Sequence, residues 1–216
     1  MSFVCTFTDH LKSLGGDGRP VTLFFTTWSA WISFAAATAS LAFEIFKKAK
    51  GVQNPQASDQ GVLHSLLNFC AAMMMVATFL IAAFVLPEKI WTAEYWKFGS
   101  AFKHFFLPIF TIGNEILFPG KRKIFFPFLG MVIPISWCFV IIRRALSARA
   151  SFGGSIPQNL WDQYYPYGFT NLDNGHSLKG LCLLFSAIGI GLILFGFLFL
   201  LLEKLKSGKK SATAGA

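Results

Sequence analysis

The sequence predicts an all-α integral membrane protein: a bundle of five transmembrane helices with an aromatic-rich cap on one side. Three observations predict it. Hydrophobic residues fill 54% of the 216 positions and charged residues 13%, with a mean hydropathy of +0.55. A soluble surface needs about a quarter to a third of its residues charged, and disorder needs low hydrophobicity, so lipid is the solvent this chain is built for. Apolar stretches approaching the bilayer requirement of about 20 residues occur five times. All six Trp and all four Tyr fall toward one face of that arrangement. The net charge of +9 is spread between apolar blocks, which reads as membrane flanking rather than as a nucleic-acid surface.

In chain order, residues 1–20 form a polar N-terminal segment without the apolar core of a signal peptide. The transmembrane domain spans 21–203. Its first span, 21–46, serves as its own insertion signal and is followed by polar GVQNPQASDQG. The second span is 65–86. The third, 102–118, is the shortest and carries His104, Asn114 and Glu115. PGKRK separates it from the fourth, 124–142, and a long polar and aromatic stretch precedes the fifth, 181–202. Residues 204–216 read as a basic disordered tail. Five spans put the termini on opposite faces. Totals of Lys and Arg nearly balance, but Lys47, Lys48 and Lys50 follow span one closely, which favours a cytosolic C-terminal side. Trp28, Trp31, Trp91, Trp96, Trp137, Trp161, Tyr95, Tyr164, Tyr165 and Tyr167 lie on or near the opposite side.

Polar groups inside a span turn toward other helices or a cavity. Thr22, Thr26, Ser29, Ser33, Ala36, Ser40 and Glu44 are spaced three or four apart and form one narrow stripe of span one. His104, Pro108, Thr111 and Glu115 share a face of span three, with Asn114 beside them. Span two offers Asn68, Ala72, Met75 and Ala82; span five offers Cys182, Ser186, Gly189 and Gly196. The stripes set Thr26 and His104 at one depth beneath the Trp- and Tyr-rich face, with Arg143 and Arg144 at the same end of span four. Plainer readings exist for each. A membrane Thr commonly bonds its own i−4 carbonyl, a His near a span end anchors to the interface, and Glu115 can pair with Lys121, Arg122 or Lys123. No phosphate loop, GxSxG elbow or HExxH is present, His10, His64 and His176 lack metal spacing, and Cys5, Cys70, Cys138 and Cys182 show neither a metal nor a disulfide framework. No metal or cofactor is expected. No ring of charge suggests a channel, and no Lys lies at mid-membrane as a retinal protein requires.

Three blocks carry a resemblance: Phe24-Phe-Thr-Thr-Trp-Ser-Ala-Trp31; His104-Phe-Phe-Leu-Pro108 with Asn114, Glu115 and then Leu117-Phe-Pro119; and Tyr165-Pro-Tyr-Gly-Phe169. In order and spacing they resemble the androgen-induced membrane protein family and its bacterial relatives, across most of residues 21–203. The family is usually described with six spans, and no apolar stretch precedes the Thr-bearing one here. Characterised animal members hydrolyse fatty-acid esters of hydroxy fatty acids with a Thr nucleophile and a His. The resemblance therefore implies Thr26 and His104 as the catalytic pair, since a hydroxyl is a weak nucleophile until a base takes its proton and His is that base near neutral pH. Asn114 and Glu115 both remain open as the family's acidic position. Ser29, Asn68, Thr111, Glu115, Trp137, Arg143, Tyr165 and Tyr167 are the candidate substrate-binding residues, Asn68, Arg143 and the two Tyr being candidates for holding an oxyanion. Expected partners are membrane lipids and a lipid ester substrate, with no nucleic acid. The expected location is an endomembrane (endoplasmic reticulum) or the plasma membrane. The alternative is a non-enzymatic lipid- or small-molecule-binding protein, or a transporter subunit, that uses the same cavity.

Overall fold

A computed structural model of the chain describes residues 25–51, 61–85, 101–117 and 120–214. The N-terminal segment, Thr22, the loop after span one, and Trp91, Tyr95 and Trp96 lie outside the described residues. Every described element is a helix or helical turn. The helices are α1 (Phe25–Ala49), α2 (Val62–Leu80), α3 (Leu107–Leu117), α4 (Phe126–Leu129), α5 (Val132–Ser151), α6 (Trp161–Tyr164) and α7 (Leu178–Ala214). Four stretches are long and apolar enough to cross a membrane: Phe25–Ala49, Val62–Ala83, Phe126–Ser151 and Leu178–Leu205. The chain is a multi-pass membrane protein by this measure.

The fifth expected span is helical but short. A π-helical turn, Phe102–Phe106, leads directly into α3, and at 1.5 Å per residue the two together reach about 24 Å, less than the ~30 Å of hydrocarbon. The fourth span is longer than its apolar run. Arg143 and Arg144 break that run, yet α5 continues to Ser151 because both arginines face out while Ile141, Ala145 and Ala148 face in. Pro134 is tolerated because it sits in the first turn, where an amide has no helical partner. α7 keeps a helical backbone through residues 204–214.

Large apolar side chains point outward: Phe34, Leu41, Leu63, Phe110, Ile124, Phe139, Leu183 and Leu194 are all exposed, the arrangement lipid rewards and water penalises. Small and polar residues face inward, Ala36, Ser29, Ser33, Ser65 and Thr78 among them. Helix ends use glycine where the backbone turns left-handed. After α1, Gly51 takes φ 77 and donates to the Lys48 carbonyl at 2.9 Å.

The chain divides into two compact units. One comprises the start of α1 as far as Trp28 together with Ile133–Ile188; its core gathers Ala145, Ala148, Ile156, Tyr165, Leu172 and Leu181. The other comprises Ser29–Val132 and the chain from Gly189 onward. There α2 packs against α3 and α4, and Phe69 through Thr78 are buried on every side. Close approach here depends on glycine: a Cβ on Gly196 would lie 2.8 Å from the Pro127 Cβ, and one on Gly130 would lie 3.3 Å from Met73 Cγ.

Candidate functional site

In the first unit, the polar stretch between α5 and α7 folds around Asp173. Its carboxylate accepts from the Tyr165 hydroxyl at 2.7 Å and the Ile156 amide at 3.0 Å, and pairs with Arg149 Nε at 3.2 Å. Arg149 also donates to the Gly154 carbonyl, and the Trp161 indole donates to the Ile156 carbonyl. Tyr165 is thus committed to Asp173. Burial and the adjacent carboxylate push its phenol well above the ordinary range, since both disfavour a phenolate.

Tyr167, two residues on, reaches the head of α1. Its hydroxyl accepts from the Phe25 amide at 3.1 Å, and the Thr26 amide and hydroxyl bond the same oxygen. The phenol therefore takes up amide donors at the head of this helix, a position where donors ordinarily lack intrahelical partners. Burial pushes the Tyr167 phenol up to about 12, with the Thr26 and Phe25 contacts opposing the rise. Trp137 fixes this corner: fully buried, its ring meets Phe25 at 5.1 Å, Phe185 at 5.8 Å and Tyr167 at 6.1 Å, all edge-on. Phe169 stacks on Tyr167 at 5.3 Å.

In the second unit the inward stripe of α1 meets α2. Thr78 donates to Ser29 at 2.7 Å, and Ser29 in turn reaches the Met74 carbonyl at 3.5 Å. Further along, Ser40 Oγ lies 3.0 Å from His64 Nε2 and 3.4 Å from Asn68 Oδ1. Two buried hydroxyls, Ser33 and Ser65, have no hydrogen-bond partner among the described residues. Glu115 is buried against Arg122, whose guanidinium bonds Glu115 Oε1 at 2.9 Å and the Glu115 carbonyl, and donates to the Phe199 carbonyl at 2.7 Å. Glu203 stands 3.7 Å from the same guanidinium. Phe69 and Phe199 present their rings to it at about 6 Å.

The expected site residues divide between the two units. Thr26 is half-buried at the head of α1, in the first unit, joined to Tyr167 and close to Trp137's cluster. His104 is half-buried in the π-helical turn before α3, in the second unit. Ser29 is closed into its bond with Thr78, Asn68 faces Ser40, Thr111 is half-buried on α3, and Glu115 is neutralised by Arg122, while Asn114 is exposed. Arg143 is exposed; its neighbour Arg144 lies over the Tyr164 ring and donates to the Gln163 carbonyl.

Two features were not read from sequence, and a third, Arg122, was read only as one of three candidate partners for Glu115. The π-helical turn at His104 leaves no signature in composition, although such turns recur at functional sites. Arg122 stands in the basic run Lys121–Lys123, and packing rather than composition selects it as the partner of Glu115. The Ser40–His64 bond could have been found from register, because an antiparallel pairing that sets Ser29 against Thr78 also sets Ser40 against Asn68 and His64. Among the described residues no group of three His, Cys, Asp or Glu is placed to hold a metal. Comparison with protein-family models, curated proteins and solved structures finds no match for this chain.

Proposed function

We propose that this protein is an intramembrane hydrolase of lipid esters, such as fatty-acid esters of hydroxy fatty acids, with Thr26 as nucleophile and His104 as its base. The observation that carries the reading is the Tyr167 hydroxyl on the Phe25–Thr26 amides. Two of the three blocks behind the family resemblance, separated by 142 positions, meet there at a single oxygen. The His104 turn supports it from the third block, since a π-helical turn offsets a side chain from the regular helical face.

The chemistry follows from the groups. His104 takes the Thr26 proton as Oγ1 attacks the ester carbonyl, then returns it to the leaving alcohol; water, activated by the same imidazole, releases the acid. The Tyr167 phenol, held neutral by burial, stands beside Thr26, where the oxyanion develops. Residues 102–117 serve as a short fifth span in this reading, and the Trp- and Tyr-rich stretch serves as a cap over the mouth of a lipid-accessible cavity. Membrane lipids surround the protein, the ester enters sideways, and the C-terminus is cytosolic.

Thr26→Ala and His104→Ala should each abolish hydrolysis of a palmitoyl ester of hydroxystearic acid by the detergent-solubilised protein, while Thr27→Ala retains it. Full activity in either of the first two variants ends the proposal. A tightly co-purified lipid with no turnover in wild type would instead favour the binding-protein reading.

A further inference from the structure

The polar groups of the second unit include a hydroxyl and an imidazole already within bonding distance of each other. Ser40 Oγ and His64 Nε2 are 3.0 Å apart, on α1 and α2 respectively. This is the reach at which a base takes a nucleophile's proton. Asn68, one turn after His64, offers the Ser40 hydroxyl a second acceptor, its Oδ1 at 3.4 Å. The imidazole is oriented by Phe43, whose ring stands edge-on to it at 5.5 Å and 86°. Ser40 and His64 are both only partly buried, so water and a lipid carbonyl can reach them.

Beyond the pair on α1 lie Glu44, one turn after Ser40 on the same stripe, and then three lysines. The same Phe43 ring carries Lys47 Nζ at 5.6 Å from its centroid. Lys50 lies over Phe46 at 4.4 Å, and Lys48 is exposed between them. Phe43 thus links the imidazole directly to the cationic end of α1. Outside it, exposed Leu41, Ile45 and Leu63 offer an apolar surface for an acyl chain. The other polar cluster of this unit shows the contrast: Arg122 is bonded to Glu115 and the Phe199 carbonyl, whereas Ser40 meets two neutral polar side chains, His64 and Asn68.

We propose that Ser40 and His64 form a second acyl-ester site, independent of Thr26 and His104, that takes a fatty-acyl ester bearing a phosphate headgroup from the leaflet on the Lys47–Lys50 side. Ser40 Oγ bonds to the ester carbonyl carbon as His64 Nε2 takes the hydroxyl proton. The carbon–oxygen bond to the glycerol side breaks, and that oxygen leaves with the proton from Nε2. Water then adds to the acyl-serine, gives its proton to His64, and the fatty acid departs as Ser40 recovers its proton. The net change is ester plus water to acid plus alcohol. Lys47 and Lys50 hold the phosphate and take no part in bond making.

The test uses the full chain in the Thr26→Ala, His104→Ala background, so that the site proposed above is silent. A lipophilic fluorophosphonate is added and the modified peptide is mapped by mass spectrometry. The expected result is an adduct on Ser40 that is lost in His64→Gln. The same protein should release oleate from 1-oleoyl glycerol 3-phosphate. Lys47→Gln with Lys50→Gln should raise KM about tenfold for that ester while leaving kcat, and the KM for monoolein, unchanged. Because Ser40 also ties α1 to α2, the deciding measurement is mapping on protein with an intact Ser40. An unmodified Ser40 in folded protein, or an adduct that persists undiminished in His64→Gln, overturns the proposal. Labelling at Thr26 in wild type is a separate outcome and bears only on the earlier site.

Discussion

Asn68 and Phe69 are consecutive on α2, about 100° apart around the helix, and they face two polar environments that differ in kind. Phe69 faces Arg122, a guanidinium that is 2% exposed and bonded to a carboxylate, two backbone carbonyls and a second, more distant carboxylate. Asn68 faces Ser40, whose hydroxyl also bonds His64, and both Ser40 and His64 are only partly buried. The first cluster is saturated. Its guanidinium is buried and bonded to Glu115 and the Phe199 carbonyl, so it pins α3 and α7 beside α2. The second is built from neutral polar groups and is only partly buried, and that is where reactivity can reside. Within an apolar bundle, burial of paired charge separates a fastener from a partly exposed, neutral hydroxyl–imidazole pair.

The sharpest way to test the fastener is to break it. Arg122→Leu strands Glu115 as an unpaired buried charge and should cost about 3–5 kcal/mol, visible as a large fall in the thermal unfolding midpoint in detergent. Adding Glu115→Leu should recover much of that loss, because it removes the stranded charge; no recovery would mean that the pair is not what holds this corner. Ser40→Ala, by contrast, should cost only about 1 kcal/mol, the worth of an ordinary hydrogen bond, even as it removes the fluorophosphonate adduct.

Trp137→Ala comes next. It opens a cavity among Phe25, Tyr167 and Phe185 and should destabilise by about 3–5 kcal/mol. Gly196→Val drives a side chain into Pro127 and should cost about 1–3 kcal/mol through overpacking, with Ser40 labelling unaffected.

The smallest effect is electrostatic. Tyr167 has a raised folded-state pKa, about 12 against an ordinary 10.0, so the folded state holds its proton more tightly than the unfolded one. The stability this confers is full below pH 10 and is lost as pH climbs from there toward 12. Tyr167→Phe should flatten that alkaline limb and cost about 1 kcal/mol at neutral pH from the lost hydrogen bonds to α1. Unfolding curves of the two proteins, run from neutral pH into that alkaline window, check both points.

Much of this was legible in the residues. The stripe of α1 is real: Ser29, Ser33 and Ala36 are buried and Ser40 turns inward, because a three-four spacing admits one helical face. Glu115 could be read as paired within PGKRK, and Arg122 is the partner. What escaped reading depends on contacts between elements. His64 is unremarkable until α1 and α2 are set in register. Arg122 is one of three adjacent cations, and only the packing of α2, α3 and α7 selects it. The end of α5 was hidden because a charge pair interrupts hydropathy without interrupting a helix, provided both charges lie on the outer face.

The decisive experiment is to map a lipophilic fluorophosphonate adduct on the wild-type protein. The expected result is a phosphonylated Thr26 that is lost in His104→Ala, alongside loss of turnover of the palmitoyl ester of hydroxystearic acid. A folded wild-type protein that hydrolyses that ester with Thr26 unmodified, and goes on doing so as Thr26→Ala, would refute the Thr26–His104 pairing.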